Sequence, residues 1–409
     1  MTTMSDKDRI SSGFGNRTKL FVRYGTCITF AAMSSCSNFS AGACRVVATV
    51  AMAAMLAGCA GSGSIGPAYY WQSISGHFAL MQSARPVDDW LNDAATSPAL
   101  KDRLRLSQRI RAFASSRLGL PDNPSYRRYA DLHRAAAVWN VVAAPPLSLT
   151  LQTWCFPITG CIGYRGYYNE ATAREEAAGL AGQGLEVSVY GVPAYSTLGW
   201  LNWAGGDPLL STFIGYPEGE LARMVFHELA HQVVYAEGDT TFNESFATAV
   251  EQMGRDLWLA DEASPQAREA YGKFAGRQHD FRALTRDTRR SLEDVYAASD
   301  ASIEEKTTQK QRVMEAFRAR YAALRSAWGG DPASVAGYDR WVANANNAAF
   351  GALAAYDTLV PAFEALFRQV AATAPSPQAA WPLFYAEVKR LAALPRPQRL
   401  AALQALAPP

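Results

Sequence analysis

The sequence predicts a predominantly helical α+β fold with a small β-sheet beside one central helix. Apolar residues at helical spacing follow Pro217 and dominate the chain after Trp258. Short segments rich in β-forming residues lie between residues 137 and 200, bounded by Pro and Gly. The 409 residues are 49% hydrophobic and 19% charged, which is enough apolar sequence for a large core.

The first 58 residues are interpreted as a leader. Arg45 precedes an apolar run, 46–57, that is too short to span a bilayer but has the length of a signal-peptide core. The run ends in Leu56-Ala57-Gly58-Cys59, the order of a bacterial lipobox, in which cleavage precedes a cysteine that carries lipid. We therefore expect lipidation at Cys59 and a periplasmic lipoprotein. An ordinary signal peptide with an incidental cysteine is the alternative.

Residue 60 and the charge balance refine this expectation. Ala60 after the lipobox cysteine resembles lipoproteins sorted to the outer membrane. The leader carries six basic and two acidic residues, so removing it changes the net charge from +2 to −2. A slightly acidic mature chain argues against nucleic acid as a partner. The small and polar residues at 59–68 are predicted to form the tether between lipid and domain.

Helices and strands alternate ahead of the central helix. Ser97-Pro98 supplies a capping side chain and a first-turn proline, and Gly119 ends the helix that follows. The predicted helices are 69–83, 97–118 and 170–181, and the predicted strands are 137–143, 147–154 and 185–190. Residues 192–200 are ambiguous between an edge strand and a loop packed on the helices.

Beyond the lipobox the chain has two cysteines, Cys155 and Cys161, which flank five residues. In an oxidising compartment we expect them to form a short-loop disulfide that pins the segment before Tyr164. A reactive thiol pair is the alternative.

The chain after Trp258 is predicted to be helical. The expected helices are 266–285, 287–298 and 303–328, with further helical segments at 331–366 and 381–406. We expect residues 261–409 to form a helical lobe packed against a core of residues 69–260.

The central helix carries His227-Glu228-Leu229-Ala230-His231. Two histidines at positions i and i+4 lie one turn apart on one helical face, where both imidazoles can reach one zinc ion. Glu228 lies beside them, placed to accept a proton from a zinc-bound water. A buried helix with hydrogen-bonded histidines is the alternative to a zinc site.

A third zinc ligand is expected from the next helix. If the first helix runs to about Ala236 and the second starts near Asn243, the hairpin returns Glu244 to the level of the histidines. His227, His231 and Glu244 would then leave a fourth position for water, as in catalytic zinc sites. Glu251 lies on the same helical face as Glu244, where it could orient a ligand or form a salt bridge.

Two other sources of a third ligand fit the sequence less well than Glu244. A metzincin needs Gly three residues and His six residues after the second histidine, where this chain has Val234 and Glu237. Asp239 is a nearer carboxylate but lies in the expected turn, where it could cap the next helix.

The Asn243-Glu244-Ser245-Phe246-Ala247 run after the histidine motif is similar to the gluzincins, zinc peptidases whose third ligand is a glutamate on the following helix. With Tyr164-Arg165-Gly166-Tyr167 and residues 194–200 and 207–212, the chain resembles a bacterial lipoprotein family called putative aminopeptidases. The resemblance implies a zincin-like fold, Zn²⁺, a peptide substrate, and Asn243 beside the ligands. It also implies that residues 192–200 pair with the extended substrate backbone. The Gly-Ala-Met-Glu-Asn loop by which many zinc aminopeptidases hold an amino terminus does not occur in this sequence.

The expected function is therefore zinc-dependent peptide hydrolysis in the periplasm, with Glu228 as general base. Gluzincins also use a Tyr, His or Arg to stabilise the oxyanion, for which Tyr195, Tyr356 and Arg165 are the candidates. Two alternatives are a zinc-binding or chaperone-like lipoprotein without turnover and a zinc hydrolase of cell-wall peptides.

Overall fold

The computed structural model describes residues 66–156, 160–194, 205–329, 332–353 and 359–406. Its helices are Pro67–Ser83 (α1), Val87–Asn92 (α2), Pro98–Ser116 (α3), Glu170–Gly182 (α4), Glu218–His231 (α5), Thr240–Asp261 (α6), Pro265–Ala297 (α7), Ile303–Trp328 (α8), Ala336–Ala343 (α9), Asn347–Ala352 (α10), Val360–Thr373 (α11), Pro377–Ala392 (α12) and Arg396–Gln404 (α13). Its strands are Arg85–Pro86 (β1), Arg128–Ala130 (β2), Val138–Ala144 (β3), Trp154–Phe156 (β4), Gly160–Ile162 (β5), Arg165–Tyr167 (β6), Glu186–Val192 (β7) and Leu209–Leu210 (β8). A short 3-10 helix lies at Pro332–Ser334.

The strands form three small sheets. The largest is antiparallel in the order β6-β3-β7, with Trp139 opposite both Tyr167 and Gly191. A second sheet has the order β1-β2-β8, in which β2 and β8 are parallel, and β4 pairs with β5. Among the described strands β7 is therefore an edge of its sheet, and α4 and α10 both contact it and β3.

The α5–α6 hairpin lies in the main hydrophobic core. Phe226 of α5 and Phe246 of α6 are completely buried, and Trp258 closes the far end of the hairpin against Phe113 with ring centroids 5.1 Å apart. The C-terminal helices cover α6, where Phe363 packs on Phe246. Large aromatic side chains therefore pack against both helices of the hairpin and hold it in the core.

The predominantly helical α+β fold with small sheets is confirmed. Ser97 caps α3, since its hydroxyl accepts a hydrogen bond from the Leu100 amide, and proline occupies the first turn as expected. The strands predicted at 137–143 and 185–190 are β3 and β7, each displaced by one or two residues at its ends.

The strand predicted at 147–154 is wrong, because only Trp154 of it belongs to a strand. After Pro145-Pro146 the chain turns instead. The Ser148 amide donates to the Pro145 carbonyl, and the Thr150 amide donates to the Ser148 hydroxyl. These local bonds occupy the backbone groups that a sheet would need.

Helix boundaries in the C-terminal half also differ from the prediction. The break expected at Arg286 is wrong, since α7 runs through it without a Gly or Pro to stop it. The segment at 331–366 is not one helix but a 3-10 helix, α9, α10 and the start of α11, and the segment at 381–406 is divided at Pro395.

The zinc-motif helix is shorter than expected. It ends at His231 rather than Ala236, and α6 begins at Thr240 rather than Asn243. Asn243 explains the difference, because its side-chain amide donates to the Ala236 carbonyl and accepts from the Ala236 amide at 2.9 and 2.7 Å. Gly238 takes a φ of +71°, and Asp239 caps α6 by accepting from the Phe242 amide.

Within the described part of the chain, no helix has the length and apolar character needed to cross a membrane. The leader, Cys59 and most of the tether lie outside the described residues.

Candidate metal centre

The hairpin brings His227, His231 and Glu244 together at the inner face of α5 and α6. The two Nε2 atoms lie 3.1 Å apart, and the imidazole rings meet edge to face with centroids 4.7 Å apart. Oε2 of Glu244 lies 3.4 Å from His227 Nε2 and 3.7 Å from His231 Nε2. Among the described residues, this is the one group of three His, Cys, Asp or Glu side chains close enough to share a metal ion.

The spacing of these atoms fits a transition-metal ion. Three ligands about 2.0–2.2 Å from a tetrahedral zinc ion lie roughly 3.4 Å from one another. The three observed separations, 3.1, 3.4 and 3.7 Å, bracket this value. Two imidazoles and one carboxylate form a donor set typical of catalytic zinc, so the three residues fit the group that the sequence predicts.

Glu251 contacts the opposite side of His227. Its Oε2 lies 2.8 Å from Nδ1 of the imidazole, which leaves Nε2 directed at Glu244. Glu251 is nearly completely buried and is itself paired with Arg223, whose Nη1 donates to Oε2 at 2.6 Å. Arg223 also pairs with the buried Glu220 at 2.7 Å. Glu220, Arg223 and Glu251 thus form a continuous chain of charges that ends at His227, one of the three candidate ligands.

The charges of this chain shift the pKa of each neighbour. Burial alone would lower the pKa of His227, but Glu251, Glu244 and Glu228 together raise it to about 10. Burial alone would raise the pKa of Glu244, but His227 and His231 hold it well below its usual range. Arg223 and His227 likewise lower the pKa of the buried Glu251. Glu244 and Glu251 are therefore ionised at neutral pH, and the ionised form of a carboxylate is the one that binds metal.

Glu228 lies beside the cluster and has a free carboxylate. It is half-buried and makes no hydrogen bond or ion pair within the described residues, but its charge acts on His227. It also acts on Tyr126, a buried tyrosine whose pKa is raised well above 10, first by burial and then by Glu228 and Asp207. Tyr126 has a φ of 65°, which is unusual for a residue with a side chain. The Glu228 carboxylate is therefore partly accessible and lies next to the candidate ligands.

A group of tyrosines lies on the Glu244 side of the site. Burial, and after it the neighbouring Tyr190 and Glu244, raise the pKa of Tyr164 to about 12. Tyr235 is also close enough to Glu244 for that charge to raise its pKa, after burial. Within the described residues the Tyr164 hydroxyl makes no hydrogen bond, while Tyr190 Oη accepts a hydrogen bond from Asn140 at 3.5 Å. Sequence reasoning did not single out Tyr164, because it lies 80 residues before Glu244 and the sheet brings it there.

Several predicted residues occupy other places. Arg165 is paired with Glu176 at 2.7 Å and stacks on Tyr69, so its guanidinium is already engaged. Asn243 holds the hairpin turn at Ala236 rather than contacting a ligand. Asp239, the alternative third ligand, caps α6 and pairs with the buried Arg399 at 2.6 Å, so its carboxylate is already engaged. Tyr195, Tyr356 and most of residues 192–200 lie outside the described residues.

The remaining histidines lie apart from the cluster. His133 is exposed beside Asp131, His279 is exposed on α7, and His77 is buried on α1. Cys155 and Cys161 are joined in a disulfide bond between β4 and β5.

A model of the family described as "putative aminopeptidase" matches residues 68–403, well over half of the chain. The match includes all the residues of the hairpin and the buried charge chain behind it. No curated protein and no solved structure shows a significant match to this sequence.

Proposed function

The chain belongs to the family described as putative aminopeptidases, and from this we propose that it is a zinc-dependent peptidase of the bacterial periplasm. In this proposal it is a gluzincin-like enzyme in which His227, His231 and Glu244 hold the metal. It is anchored by lipid at Cys59, in the outer membrane, and hydrolyses peptides as an aminopeptidase.

One observation carries the zinc assignment. Three ligand atoms from two helices converge at the separations that a tetrahedral zinc ion requires, with a free glutamate directly beside them. Histidines with a purely structural role would not require Glu244, an ionised carboxylate that faces both rings. They would not require the buried Glu251 behind the His227 ring either. The arrangement supports a site in which protein groups supply three ligands and the fourth position is open.

Each residue then has a distinct task. Zinc, when bound, supplies the Lewis acidity that makes water nucleophilic near neutral pH and polarises a carbonyl group. Glu228 accepts the proton from that water and passes it to the amine that leaves. Glu251 fixes the His227 ring through Nδ1, so that Nε2 is the atom presented to the metal.

Tyr164 is the oxyanion donor in this proposal. The residue is half-buried, the Glu244 charge acts on it, and its hydroxyl makes no hydrogen bond to a described residue. Because its pKa is about 12, the hydroxyl keeps its proton at physiological pH and can donate it in a hydrogen bond to a developing negative charge.

The substrate is expected to bind as an extended strand. β7 is a sheet edge among the described strands and leads directly into residues 193–200, the segment for which the sequence predicts strand addition. Tyr190 of β7 lies in the same small cluster as Tyr164, so an added strand would pass close to the metal ligands.

Metal analysis of the purified chain with two variants tests the proposal. The wild type should contain one zinc per chain and cleave members of a peptide library. Glu244→Ala should lose zinc and activity, whereas Glu228→Gln should keep zinc and lose activity. A wild type that binds zinc but cleaves no peptide in the library would contradict the assignment as a peptidase, and one that binds no zinc would contradict the metal site.

A further inference from the structure

The outward face of α1 is an exposed aromatic stripe. Trp71, Ile74 and Phe78 are 71%, 51% and 60% exposed, and Tyr70 is 39% exposed beside them. At spacings of three and four residues they share one side of the helix, over about 12 Å of its length. Among the described residues the other large exposed apolar side chains are dispersed singly over the rest of the fold: Tyr235, Ile303, Leu353, Leu383 and Leu400.

The opposite face of α1 is fixed to the fold. The Gln72 amide donates to the Gly166 carbonyl and accepts from the Tyr168 amide, both at 3.2 Å. Gly76 lies so close to the Tyr168 ring that a Cβ atom there would clash at 2.3 Å. Leu80 and Met81 belong to the main core. The stripe is therefore the outer side of a rigidly packed helix.

The helix has no charged residue. Its sequence from Pro67 to Ser83 contains no Asp, Glu, Lys or Arg, and its one histidine, His77, is buried. A water-facing helix of a soluble protein normally carries charges on its exposed face. Trp and Tyr beside aliphatic side chains are instead typical of the boundary between headgroups and acyl chains.

The position of this helix in the chain identifies the partner. Seven residues, Ala60 to Gly66, separate α1 from Cys59, the lipid-bearing residue in the function proposed above. Fully extended, the eight Cα–Cα steps from Cys59 to Pro67 span at most about 29 Å, so the first residue of α1 stays within this distance of the lipid-bearing cysteine. The stripe is thus held permanently near a lipid surface, at the start of the domain.

We propose that the Tyr70, Trp71, Ile74 and Phe78 face of α1 rests in the headgroup region of the membrane leaflet to which Cys59 is anchored. The acyl chains already supply the affinity, so the helix sets orientation: it fixes which side of the domain faces the lipid. An isolated interfacial helix turns its second face to water. In this protein the second face of α1 packs against β6 and the core instead.

Site-specific fluorescence on the full lipidated chain tests this. Leader cleavage, lipidation and the disulfide leave no free thiol in the mature sequence, so a single cysteine can be labelled with an environment-sensitive dye. Ser75→Cys places the dye at the border of the stripe, and Thr308→Cys on α8 is the matched control. Both are exposed helical hydroxyls bonded to the carbonyl four residues earlier. The proteins are reconstituted in vesicles of phosphatidylethanolamine and phosphatidylglycerol that contain lipid-borne spin labels.

The dye at residue 75 should shift to shorter emission wavelength on reconstitution and be quenched by the lipid spin labels several-fold more than the dye at residue 308. Adding Trp71→Ser, Ile74→Ser and Phe78→Ser should reduce the quenching at residue 75 to the control level, without loss of lipid from Cys59. Hydrolysis of short soluble peptides should be unchanged, which shows that the variant is folded.

Equal quenching at the two positions would overturn the proposal. So would a dye at residue 75 that is shielded from an aqueous quencher without being quenched by lipid, because a protein would then cover the stripe. A mature chain without lipid at Cys59, read by mass spectrometry, would remove the tether and overturn it as well. None of these outcomes affects zinc content or peptide hydrolysis, so failure here is distinct from failure of the zinc peptidase assignment.

Discussion

Oε2 of Glu251 lies 2.8 Å from Nδ1 of His227, and the same carboxylate is held from its other side by Arg223. A metal-binding imidazole that is fixed through its second nitrogen keeps its ring orientation and the tautomer that presents Nε2. The carboxylate is nearly completely buried, so it is placed by the fold and not by solvent. In the proposed metal site Glu251 is therefore expected to act as a positioning residue.

Glu251→Gln should weaken zinc binding by about 10- to 100-fold, the usual effect of losing such a partner. The isosteric amide keeps the packing but loses the charge that the His227 imidazole faces. Competition with a chromophoric chelator gives the affinity. Glu175→Gln, an exposed glutamate on α4, is the control and should bind zinc as the wild type does. Unchanged affinity in Glu251→Gln would show that the contact is structural only.

Zinc binding should release a proton from His227. In the metal-free protein the pKa of this residue is raised to about 10, so the imidazole is protonated at pH 8 and must lose its proton to bind a metal. Apparent zinc affinity should therefore rise about tenfold per pH unit between pH 7 and 9. Calorimetry in buffers of different ionisation enthalpy measures the released proton directly.

The raised pKa of His227 also determines how the stability of the metal-free protein changes with pH. The pKa of His227 is higher in the folded chain than the ordinary value of 6.5, so the folded state binds the proton more tightly than the unfolded state. Its contribution to the free energy of unfolding is complete below pH 6.5 and is lost as the pH rises through the folded pKa. Thermal unfolding of the metal-free chain should shift to lower temperature from pH 7 to 10. In Glu251→Gln this shift should be much smaller, and an equal shift would contradict the assignment to His227.

Tyr164→Phe should lower kcat by about 10²-fold with little change in KM or zinc content, because an oxyanion donor acts in the transition state. The removed hydroxyl bonds no described residue, so the free energy of unfolding should change little. Tyr190→Phe is the comparison from the same cluster; the Tyr190 hydroxyl oxygen accepts a hydrogen bond from Asn140 at 3.5 Å, so this variant loses a contact that Tyr164→Phe does not. If both variants retain full kcat, neither hydroxyl stabilises the oxyanion.

The three candidate metal ligands could be predicted because helical spacing alone relates them. His227 and His231 differ by one turn, and a hairpin that turns between His231 and Thr240 returns Glu244 to their level. The sequence also contains a pattern that predicts part of the pairing of Arg223 with Glu220 and Glu251. Glu220, Arg223 and His227 repeat at intervals of three and four residues and so lie on one face of α5.

Other parts of the site depend on long-range packing, for which the sequence has no local signal. Tyr164 directly precedes β6, and the pairing of β6 and β7 with β3 holds it near enough to Glu244 for that charge to act on it; strand pairing across such distances leaves no pattern in a single segment. The strand predicted at 147–154 was wrong for a related reason. The segment is rich in β-forming residues. Two of its backbone amides, however, donate to the Ser148 hydroxyl and to the carbonyl of the first of the two prolines, and so are not available for strand pairing.

The buried pair of Arg399 and Asp239 is the contact by which the C-terminal helix α13 holds the metal hairpin. Arg399 donates to Asp239 at 2.6 Å and to the carbonyls of Leu391, Ala392 and Leu394, while Asp239 caps α6 five residues before Glu244. Removing one member of a buried, hydrogen-bonded ion pair leaves the other charge without compensation. Arg399→Met should therefore lower the free energy of unfolding by about 3–5 kcal/mol, measured by urea denaturation.

Arg396→Met is the control for that substitution. Arg396 lies 4.0 Å from the other oxygen of the same Asp239, but its side chain is 70% exposed, so the change in stability should be within about 1 kcal/mol. The double variant Arg399→Met with Asp239→Asn should recover part of the loss, because the uncompensated buried charge is then gone while the amide oxygen can still cap α6. Zinc affinity should fall in Arg399→Met more than in Arg396→Met, since the turn before Glu244 has lost its anchor. Equal stability of the two single variants would mean that the C-terminal helix does not hold the hairpin through this pair.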